Sequence, residues 1–210
     1  MAMVKPAKLA PGVFLWREYF ARAEQQKLLD EVLRLAGRAP LYRPVMPRSG
    51  KPFSVDETNF GSLGWVSDAS GYHYVALHPT TGEPWPGIPN ALLKLWSLVA
   101  EYPHPPECCL VNRYRAGAKM GPHHDRDEDA IDAPVVSVSL GDDAMFRFGG
   151  VTRKSPTQSV RLSSGDVLTF GGPARRMFHG IDRLYPGSST LVPEGGRINL
   201  TLRRVTKPVA

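Results

Sequence analysis

The chain has 210 residues, an apolar fraction of 42% and a formal net charge of +6. This length suits one domain with a substantial core, so we expect residues 1–210 to form a single domain. The apolar fraction is typical of globular proteins and excludes general disorder. The longest mostly apolar stretch, residues 91–100, is too short to span a bilayer, and residues 1–11 lack the apolar region of a secretory signal. We therefore expect a cytoplasmic protein with no membrane partner.

The net charge bears on the binding partners of the protein, and the two cysteines bear on its redox compartment. An excess of basic residues attracts polyanions such as nucleic acids, although many basic proteins are merely soluble. Cys108 and Cys109 are adjacent. Neighbouring side chains of a strand point to opposite faces, so a disulfide between them would be strained. We expect two free thiols, as in a reducing compartment.

The elements follow a recognisable order. Residues 1–12 are expected to form a loose tail, and helical periodicity predicts helices over residues 21–36 and 90–101. Between them, residues 40–89 are rich in Pro, Gly and aromatic residues, which favours short strands and long loops. Turn signals then separate a series of short predicted strands. These strands cover residues 108–114, 134–140, 144–148, 159–162, 166–170 and 197–203.

This order predicts an α+β fold that is mainly β. Many short strands after residue 103 favour a double-sheet jelly roll, also called a double-stranded β-helix. The two helices would flank this core from the N-terminal side. We expect the jelly-roll core to cover residues 103–204.

A polar cluster at residues 121–129 contains a possible metal-binding pair. His123 and Asp125 are two residues apart, so on an extended segment both side chains project from one face and can chelate one ion. On composition alone, a solvated acidic loop is an equally good interpretation. Two histidines and one carboxylate on one side of a metal form the facial triad of non-haem iron(II) oxygenases. The pair therefore needs a distant histidine.

Four histidines could supply the third ligand. His179 follows the strand predicted to end at residue 170, and a jelly roll could return it to the side of His123. His78 and His104 adjoin prolines and are expected on the surface, whereas His73, between two tyrosines, suits a polar strand face. His179 is the favoured candidate.

The last predicted strand alternates strictly between polar and apolar residues. Its apolar positions suit a core, and its polar positions form a row. An ordinary half-exposed strand would look the same, but two arginines also suit a ligand with a carboxylate at each end. A dicarboxylate beside an open-sided iron indicates 2-oxoglutarate. The residues of the row are Arg197, Asn199, Thr201 and Arg203, and Asn112 and Tyr114 share one face of the strand over residues 108–114.

The ordered set His123-x-Asp125, His179 and Arg197-x-Asn199-x-Thr201-x-Arg203 resembles the signature of AlkB-type DNA and RNA dealkylating dioxygenases. The resemblance extends from about residue 13 to residue 203. It implies a catalytic Fe(II) centre that uses O2 and 2-oxoglutarate. It assigns the iron to His123, Asp125 and His179, and 2-oxoglutarate to Arg197 and Arg203 with hydrogen bonds from Asn112, Tyr114 and Asn199; which arginine takes which carboxylate stays open.

The same resemblance implies a nucleic-acid substrate, namely alkylated single- or double-stranded DNA and possibly RNA. N-alkylated bases such as 1-methyladenine and 3-methylcytosine would be demethylated, with release of formaldehyde, succinate and CO2. The enzyme is expected to act as a monomer, with residues 40–89 as a nucleotide-recognition lid. The implied substrate contacts are Trp65 stacked on the base against His123, Tyr72 on the nucleotide backbone, Asp127 on the exocyclic nitrogen, and Arg153. Met120 is expected to wall the pocket, and Arg43, Arg48, Lys51 and Arg126 are possible phosphate contacts.

Three other functions use part of the same pattern. A 2-oxoglutarate oxygenase acting on a protein or small molecule would share the iron site, but it has less need of basic charge and of Trp65. A non-catalytic nucleic-acid-binding jelly roll would not need to keep all five metal and carboxylate residues. A zinc hydrolase could use two histidines and a carboxylate, but not the paired arginines.

Overall fold

The computed structural model describes residues 5–208. Its N-terminal part is a hairpin of β1 (Ala7–Ala10) and β2 (Val13–Trp16), so the expectation of a loose tail is wrong for these residues. Residues 1–4 of that tail lie outside the described part of the chain. The hairpin forms because the apolar strand β2 buries Val13 and Leu15 and offers its free edge to β1. At the turn, Gly12 has φ 77° and comes so close to the carbonyl oxygen of Gly171 that no side chain fits there.

Two helices flank the sheets close to their predicted positions. Helix α1 spans Arg22–Ala36 and helix α2 spans Asn90–Val99. The side chain of Glu24 accepts a hydrogen bond from the N–H of Ala21 at 2.8 Å, which closes the first turn of α1. Its apolar buried face consists of Leu28, Leu29, Val32 and Leu35, whereas Leu33 is exposed. No helix within residues 5–208 has the length and apolar character needed to cross a membrane.

Eleven further strands follow α1, three of them before α2. The loop-rich segment contains β3 (Val55–Gly61), β4 (Gly64–Asp68) and β5 (Gly71–Val75). The strands after α2 are β6 (Cys108–Tyr114), β7 (Met120–His123), β8 (Val135–Gly141), β9 (Asp143–Gly149), β10 (Thr157–Leu162), β11 (Val167–Phe170), β12 (His179–Tyr185) and β13 (Arg197–Arg203). Strands β7 and β12, which were not predicted from the sequence, complete the set.

These strands form the predicted jelly roll. A seven-stranded sheet has the order β1-β2-β11-β8-β13-β6-β3, and a four-stranded sheet has the order β10-β9-β12-β7. From β6 to β13 the chain passes repeatedly between the two sheets, as in a double-stranded β-helix. Strands β4 and β5 pair with each other in a separate hairpin.

The two faces of the larger sheet have different partners. One face packs against α1 and α2 in a core that includes Ile198, Leu200 and Leu202 of β13. Because side chains alternate along a strand, the polar residues of β13 point to the opposite face, toward the smaller sheet. A second apolar core, containing Phe146 and Phe170, lies on that side. The predicted division of β13 into an apolar and a polar face is confirmed.

Two predictions about individual residues have different outcomes. Cys108 and Cys109 are buried free thiols, as expected. His78 is not on the surface but only 1% exposed. Its Nε2 donates to the carbonyl oxygen of Pro40 at 2.8 Å, and its Nδ1 accepts from the backbone N–H groups of Thr80 and Thr81. The imidazole therefore stabilises the loop-rich segment from within. The neighbouring proline indicates a loop but does not indicate that His78 is buried in it.

Candidate metal and co-substrate site

The three predicted metal ligands converge at one point between the sheets. His123 ends β7 and lies directly opposite His179, the first residue of β12, and their ring centroids are 4.4 Å apart. Asp125 follows in the loop after β7. One potential ligand atom from each of the three residues lies within 4.8 Å of the others. This arrangement can hold a cation from one side and leave the other side open.

The two oxygens of Asp125 have different surroundings. Oδ2 accepts hydrogen bonds from Nε and Nη2 of Arg203, at 3.1 and 2.9 Å. Oδ1 lies 3.9 Å from Nε2 of His123 and is the oxygen directed toward the histidines. Burial alone would raise the pKa of Asp125, but the nearby Arg203, with the two histidines, holds it well below its usual range. The carboxylate is thus ionised and available to a metal.

Both histidines are oriented by backbone carbonyl groups. Nδ1 of His123 donates to the oxygen of Gly121 at 2.9 Å, and Nδ1 of His179 donates to the oxygen of Met177 at 3.1 Å. Each Nε2 is then the free ligand atom, the usual arrangement for a metal-binding imidazole. Burial, with the neighbouring His123, lowers the pKa of His179 to about 4, which keeps its ring neutral.

A buried ionic network that was not predicted from the sequence supports Asp125. Nη2 of Arg175 donates to Glu128 at 2.9 Å, and its Nη1 donates to the backbone oxygen of Asp125 at 3.0 Å. Glu128 also lies 3.5 Å from Nε of Arg203 and accepts a hydrogen bond from the hydroxyl of Tyr74 in β5. The network joins the β4–β5 hairpin to the loop that carries the metal ligand. Its sequence signal is weak, because Arg and Glu usually lie on the surface.

On the polar face of β13, Arg197 is a buried cation that forms no salt bridge within residues 5–208. Arg197 is 1% exposed, and only its Nη2 has a partner, the hydroxyl of Ser139 at 2.8 Å. Its Nε and Nη1, and Nη1 of Arg203, have no hydrogen-bond partner among residues 5–208. An unpaired buried guanidinium is costly unless an anion joins it. Arg197 and the unpartnered Nη1 of Arg203 lie on one strand and line the same cavity as the metal cluster, which fits the two carboxylates of 2-oxoglutarate.

The other predicted co-substrate residues lie on the same polar face. Asn112 faces Asn199 in the β6–β13 ladder, and Tyr114 faces Arg197. The side chain of Asn199 donates to Ser137 and to the backbone oxygen of Val138 and accepts from Thr201, so its orientation is fixed. All of these residues and the metal cluster line one cavity of about 870 Å³. The hydroxyl of Tyr114 is 3.6 Å from the sulfur of Met120, which also lines the cavity.

The predicted base-stacking residue also lines this cavity. Trp65 stacks on Tyr72, with ring centroids 5.5 Å apart and an interplanar angle of 14°. Its indole N–H donates to Asp127 at 3.0 Å, and its backbone N–H and carbonyl group bind the side chain of Asn59. Trp65 therefore contacts two other residues assigned to the substrate by resemblance, Tyr72 and Asp127. One face of the indole ring is covered by Tyr72.

A second aromatic group also lines the cavity. The guanidinium of Arg153 is 5.1 Å from the ring centroid of Phe178, and the imidazole of His124 stacks on the same ring at 4.7 Å. His124 is thus engaged by Phe178 and is not one of the residues of the metal cluster. Arg153 is exposed and lines the cavity.

The predicted phosphate contacts are not equivalent. Arg43 donates two hydrogen bonds to Asp56, so its charge is already paired. Arg48, Lys51 and Arg126 are exposed and form no salt bridge within the part of the chain that the structure describes. Of these three, Arg126 lines the cavity.

The comparisons with known proteins agree with this site. The family model of the 2OG-Fe(II) oxygenase superfamily matches residues 12–203. The Alpha-ketoglutarate-dependent dioxygenase AlkB homolog of Caulobacter vibrioides is 55% identical over 204 residues, covering 96% of this chain and 91% of that protein. The chain belongs to the AlkB-type 2OG-Fe(II) oxygenases. It is therefore an Fe(II)- and 2-oxoglutarate-dependent dioxygenase that uses O2, not a zinc hydrolase.

Further relatives and a solved structure are also similar to this AlkB-type enzyme. Alpha-ketoglutarate-dependent dioxygenase AlkB of Escherichia coli is 39% identical over 203 residues, covering 95% of this chain and 93% of that protein. The structure of OsALKBH1 matches with a TM-score of 0.80 and 31% identity over 95% of this chain and all of that chain. More distant relatives are named DNA N(6)-methyladenine demethylase ALKBH1C, from Arabidopsis thaliana, and tRNA demethylase abh1, from Schizosaccharomyces pombe.

Proposed function

We propose that this dioxygenase repairs alkylated nucleic acid by oxidative demethylation of N-alkylated bases such as 1-methyladenine and 3-methylcytosine. Formaldehyde, succinate and CO2 would be the released products. The observation that carries the proposal is the shared cavity, in which the stacked rings of Trp65 and Tyr72 lie on the same surface as His123 and Asp125. A planar base and an oxidising metal centre can meet there.

In this proposal the residues of the two sheets have separate tasks. His123, Asp125 and His179 hold Fe(II), which together with 2-oxoglutarate and O2 supplies the oxidising power for hydroxylation of the N-methyl group. Arg197 binds one carboxylate of 2-oxoglutarate through its two free N–H groups. Arg203 orients Asp125 and keeps one N–H for the co-substrate. Asn112, Tyr114 and Asn199 add hydrogen bonds.

The substrate side would be formed by residues 40–89 acting as a nucleotide-recognition lid over the jelly-roll core of residues 103–204. A base inside a duplex cannot reach a buried metal, so it must be flipped out or presented on a single strand. Trp65 would stack on the base after Tyr72 moves toward the backbone. Asp127 would accept a hydrogen bond from the exocyclic amine. Arg153, held on Phe178, would contact the nucleotide from the opposite wall.

The polynucleotide nature of the substrate has two kinds of support. Relatives are named as DNA and tRNA demethylases, and the exposed cations Arg48, Lys51 and Arg126 can neutralise phosphates. We propose single- or double-stranded DNA as the substrate, with RNA as a further possibility. The metal and co-substrate ligands all come from one chain, which is consistent with action as a monomer.

The test is turnover of methylated oligonucleotides. Protein loaded with Fe(II) would be incubated with ascorbate, 2-oxoglutarate and oligonucleotides that contain 1-methyladenine or 3-methylcytosine. We expect a product lighter by one CH2 per methyl group, formation of succinate, and no product with the Asp125→Ala variant. An unmethylated oligonucleotide is the matched substrate control. Consumption of 2-oxoglutarate without any mass change in either oligonucleotide would instead favour a protein or small-molecule substrate.

A further inference from the structure

A polar row crosses the larger sheet beneath the co-substrate side of the cavity. Tyr42 is bridged to Glu57 of β3, and Glu57 lies directly opposite Asn112 of β6. Residues that face each other across antiparallel strands project from the same side, with Cβ atoms roughly 4.5–5.5 Å apart. Glu57 and Asn112 both line the cavity. The carboxyl group of Glu57 is therefore next to the amide of Asn112.

The atoms of this row lack partners. The hydroxyl of Tyr42, Oε2 of Glu57 and Oδ1 of Asn112 are buried and have no hydrogen bond within residues 5–208. Glu57 itself is 1% exposed. A buried polar atom left without a partner costs about 1–3 kcal/mol. A carboxylate oxygen and an amide oxygen are both acceptors and cannot satisfy each other, but a proton on Glu57 satisfies both.

The surroundings of Glu57 favour that proton. Burial raises the pKa of Glu57 to about 8, against the lowering effect of Arg203. Arg203 is already paired with Asp125 and lies close to Glu128, so its charge is largely compensated. The other titratable groups that face Glu57 are the phenols of Tyr42 and Tyr114, and burial raises the pKa of each. Glu57 is thus mainly a neutral carboxylic acid near pH 7.

We propose that Glu57 is a positioning residue of the co-substrate site: as a carboxylic acid it donates a hydrogen bond to Oδ1 of Asn112, which keeps the NH2 group of that amide directed at 2-oxoglutarate. Tyr42, whose hydroxyl has no hydrogen-bond partner within residues 5–208, is bridged to Glu57 through the backbone on the other side. With the amide reversed, Asn112 would present an oxygen to an anionic ligand and repel it. The inference rests on the proposed role of Asn112 as a ligand of 2-oxoglutarate.

A different role for the same carboxyl group makes opposite predictions. If Glu57 were ionised, it would accept a hydrogen bond from a reversed Asn112 amide, and its negative charge would favour a cationic methylated base in the cavity. Replacing Glu57 by Gln would then weaken substrate binding. In our proposal the Gln variant is the best mimic, because its NH2 group can donate to Oδ1 of Asn112 as the carboxylic acid does.

The test compares Glu57→Gln with Glu57→Met, which has a similar length but no polar group. Binding of 2-oxoglutarate to the Fe(II)-loaded proteins would be measured by calorimetry without O2 and without nucleic acid. We expect the Gln variant to match the native protein near pH 7, and the Met variant to bind about 2- to 10-fold more weakly, as loss of one hydrogen bond implies. Between about pH 7 and about pH 9 the native affinity should fall and that of the Gln variant should not, because Glu57 loses its proton in this range whereas the Gln side chain does not titrate.

A spectroscopic measurement tests the proton itself. The infrared difference spectrum between the native protein and Glu57→Gln should contain the C=O band of a protonated carboxylic acid near pH 7, and this band should disappear at higher pH. Absence of the band, coinciding pH profiles for the two proteins, or a Gln variant weakened only toward methylated oligonucleotide would each overturn the inference.

The Asn112→Ala variant separates this inference from the functional proposal on which it rests. If Asn112→Ala binds 2-oxoglutarate as tightly as the native protein, the assignment of Asn112 is wrong and the role of Glu57 fails with it. If Asn112→Ala is weakened but Glu57→Met is not, only the role of Glu57 fails. A lack of oligonucleotide demethylation, with the expected 2-oxoglutarate affinities, contradicts the substrate proposal and supports Glu57 as the positioning residue.

Discussion

Arg203 binds Asp125 through one carboxylate oxygen only, with both Nε and Nη2 donating to Oδ2. The other oxygen, Oδ1, is left on the side of His123. A carboxylate with four lone-pair positions is thereby reduced to a single-oxygen ligand with a fixed direction. The same contact fixes Arg203, so that only its Nη1 remains available for a carboxylate in the cavity.

Replacing Asp125 by Ala should abolish Fe(II) binding and turnover while the protein still folds. The variant leaves Arg203 buried without its main partner, a change that costs roughly 3–5 kcal/mol in proteins. Glu128, 3.5 Å from Nε of Arg203, should keep the loss at the low end of this range. Calorimetry with Fe(II) and urea unfolding would measure both effects. Asp127→Ala, two residues further on, should retain the metal; stoichiometric Fe(II) binding by Asp125→Ala would remove Asp125 from the ligand set.

Replacing Arg197 by Met should make the protein without co-substrate more stable and yet unable to bind 2-oxoglutarate tightly. The guanidinium is buried with two unpartnered nitrogens, so its removal relieves a desolvation cost, and we expect a gain of about 1 kcal/mol or more in the free energy of unfolding. Affinity for 2-oxoglutarate should fall roughly 10- to 150-fold, the effect of losing a charged hydrogen-bond pair. Urea unfolding would measure the gain in stability, and calorimetry would measure the loss of 2-oxoglutarate affinity. Unchanged 2-oxoglutarate affinity would exclude Arg197 as a carboxylate ligand.

Replacing Trp65 by Ala should weaken nucleic-acid binding without affecting the co-substrate. Stacking of a base on an aromatic ring is worth about 1–3 kcal/mol, so the KM for a methylated oligonucleotide should rise roughly 5- to 150-fold. Trp65→Phe keeps an aromatic face but loses the hydrogen bond to Asp127, and it should lie between the native protein and the Ala variant. Steady-state kinetics would be paired with 2-oxoglutarate binding as the control. Equal KM values for all three proteins would show that the base stacks elsewhere.

Acid should remove a small stabilisation that Asp56 provides. Partial burial opposes ionisation, but hydrogen bonds from Arg43 and Arg115 lower the pKa of Asp56 below its usual value. Because the folded pKa is the lower one, this stabilisation is complete above the unfolded pKa near 4 and is lost as the pH falls through the folded value. Asp56→Asn should cost about 0.5–1 kcal/mol at neutral pH and less in acid. Urea unfolding at several pH values measures this difference, and Asp30→Asn on the exposed face of α1 is the control; a cost independent of pH would contradict it.

The parts of the site that were predicted from the sequence depend on local periodicity. His123 and Asp125 share a face because they are two apart on an extended segment, and β13 divides into polar and apolar faces for the same reason. The return of His179 to His123 followed from the order of strands in a jelly roll. The shared faces depend on spacing along the chain, which is visible without coordinates, whereas the return of His179 needed the predicted fold and the family resemblance.

What the sequence did not reveal depends on contacts between distant segments. The pairing of Arg203 with Asp125, the burial of Glu128 with Arg175, and the place of Glu57 opposite Asn112 all join residues more than forty positions apart. Charged residues of this kind are usually exposed, so their burial cannot be read from composition. His78 was placed on the surface for a related reason: a proline neighbour predicts a loop but does not say whether the loop is covered.

Tyr74 donates a hydrogen bond to Glu128, the carboxylate that also pairs with Arg175 and lies beside Arg203. Glu128 thus links the β4–β5 hairpin to Arg203, the residue that orients the metal ligand Asp125. Coupling between two binding sites is reciprocal. If bound metal raises the affinity for a polynucleotide by some factor, a bound polynucleotide must raise the affinity for the metal by the same factor. Because Tyr74 also lies opposite Trp65 in the β4–β5 hairpin, a variant that removes only its hydroxyl, Tyr74→Phe, is the one to alter this coupling.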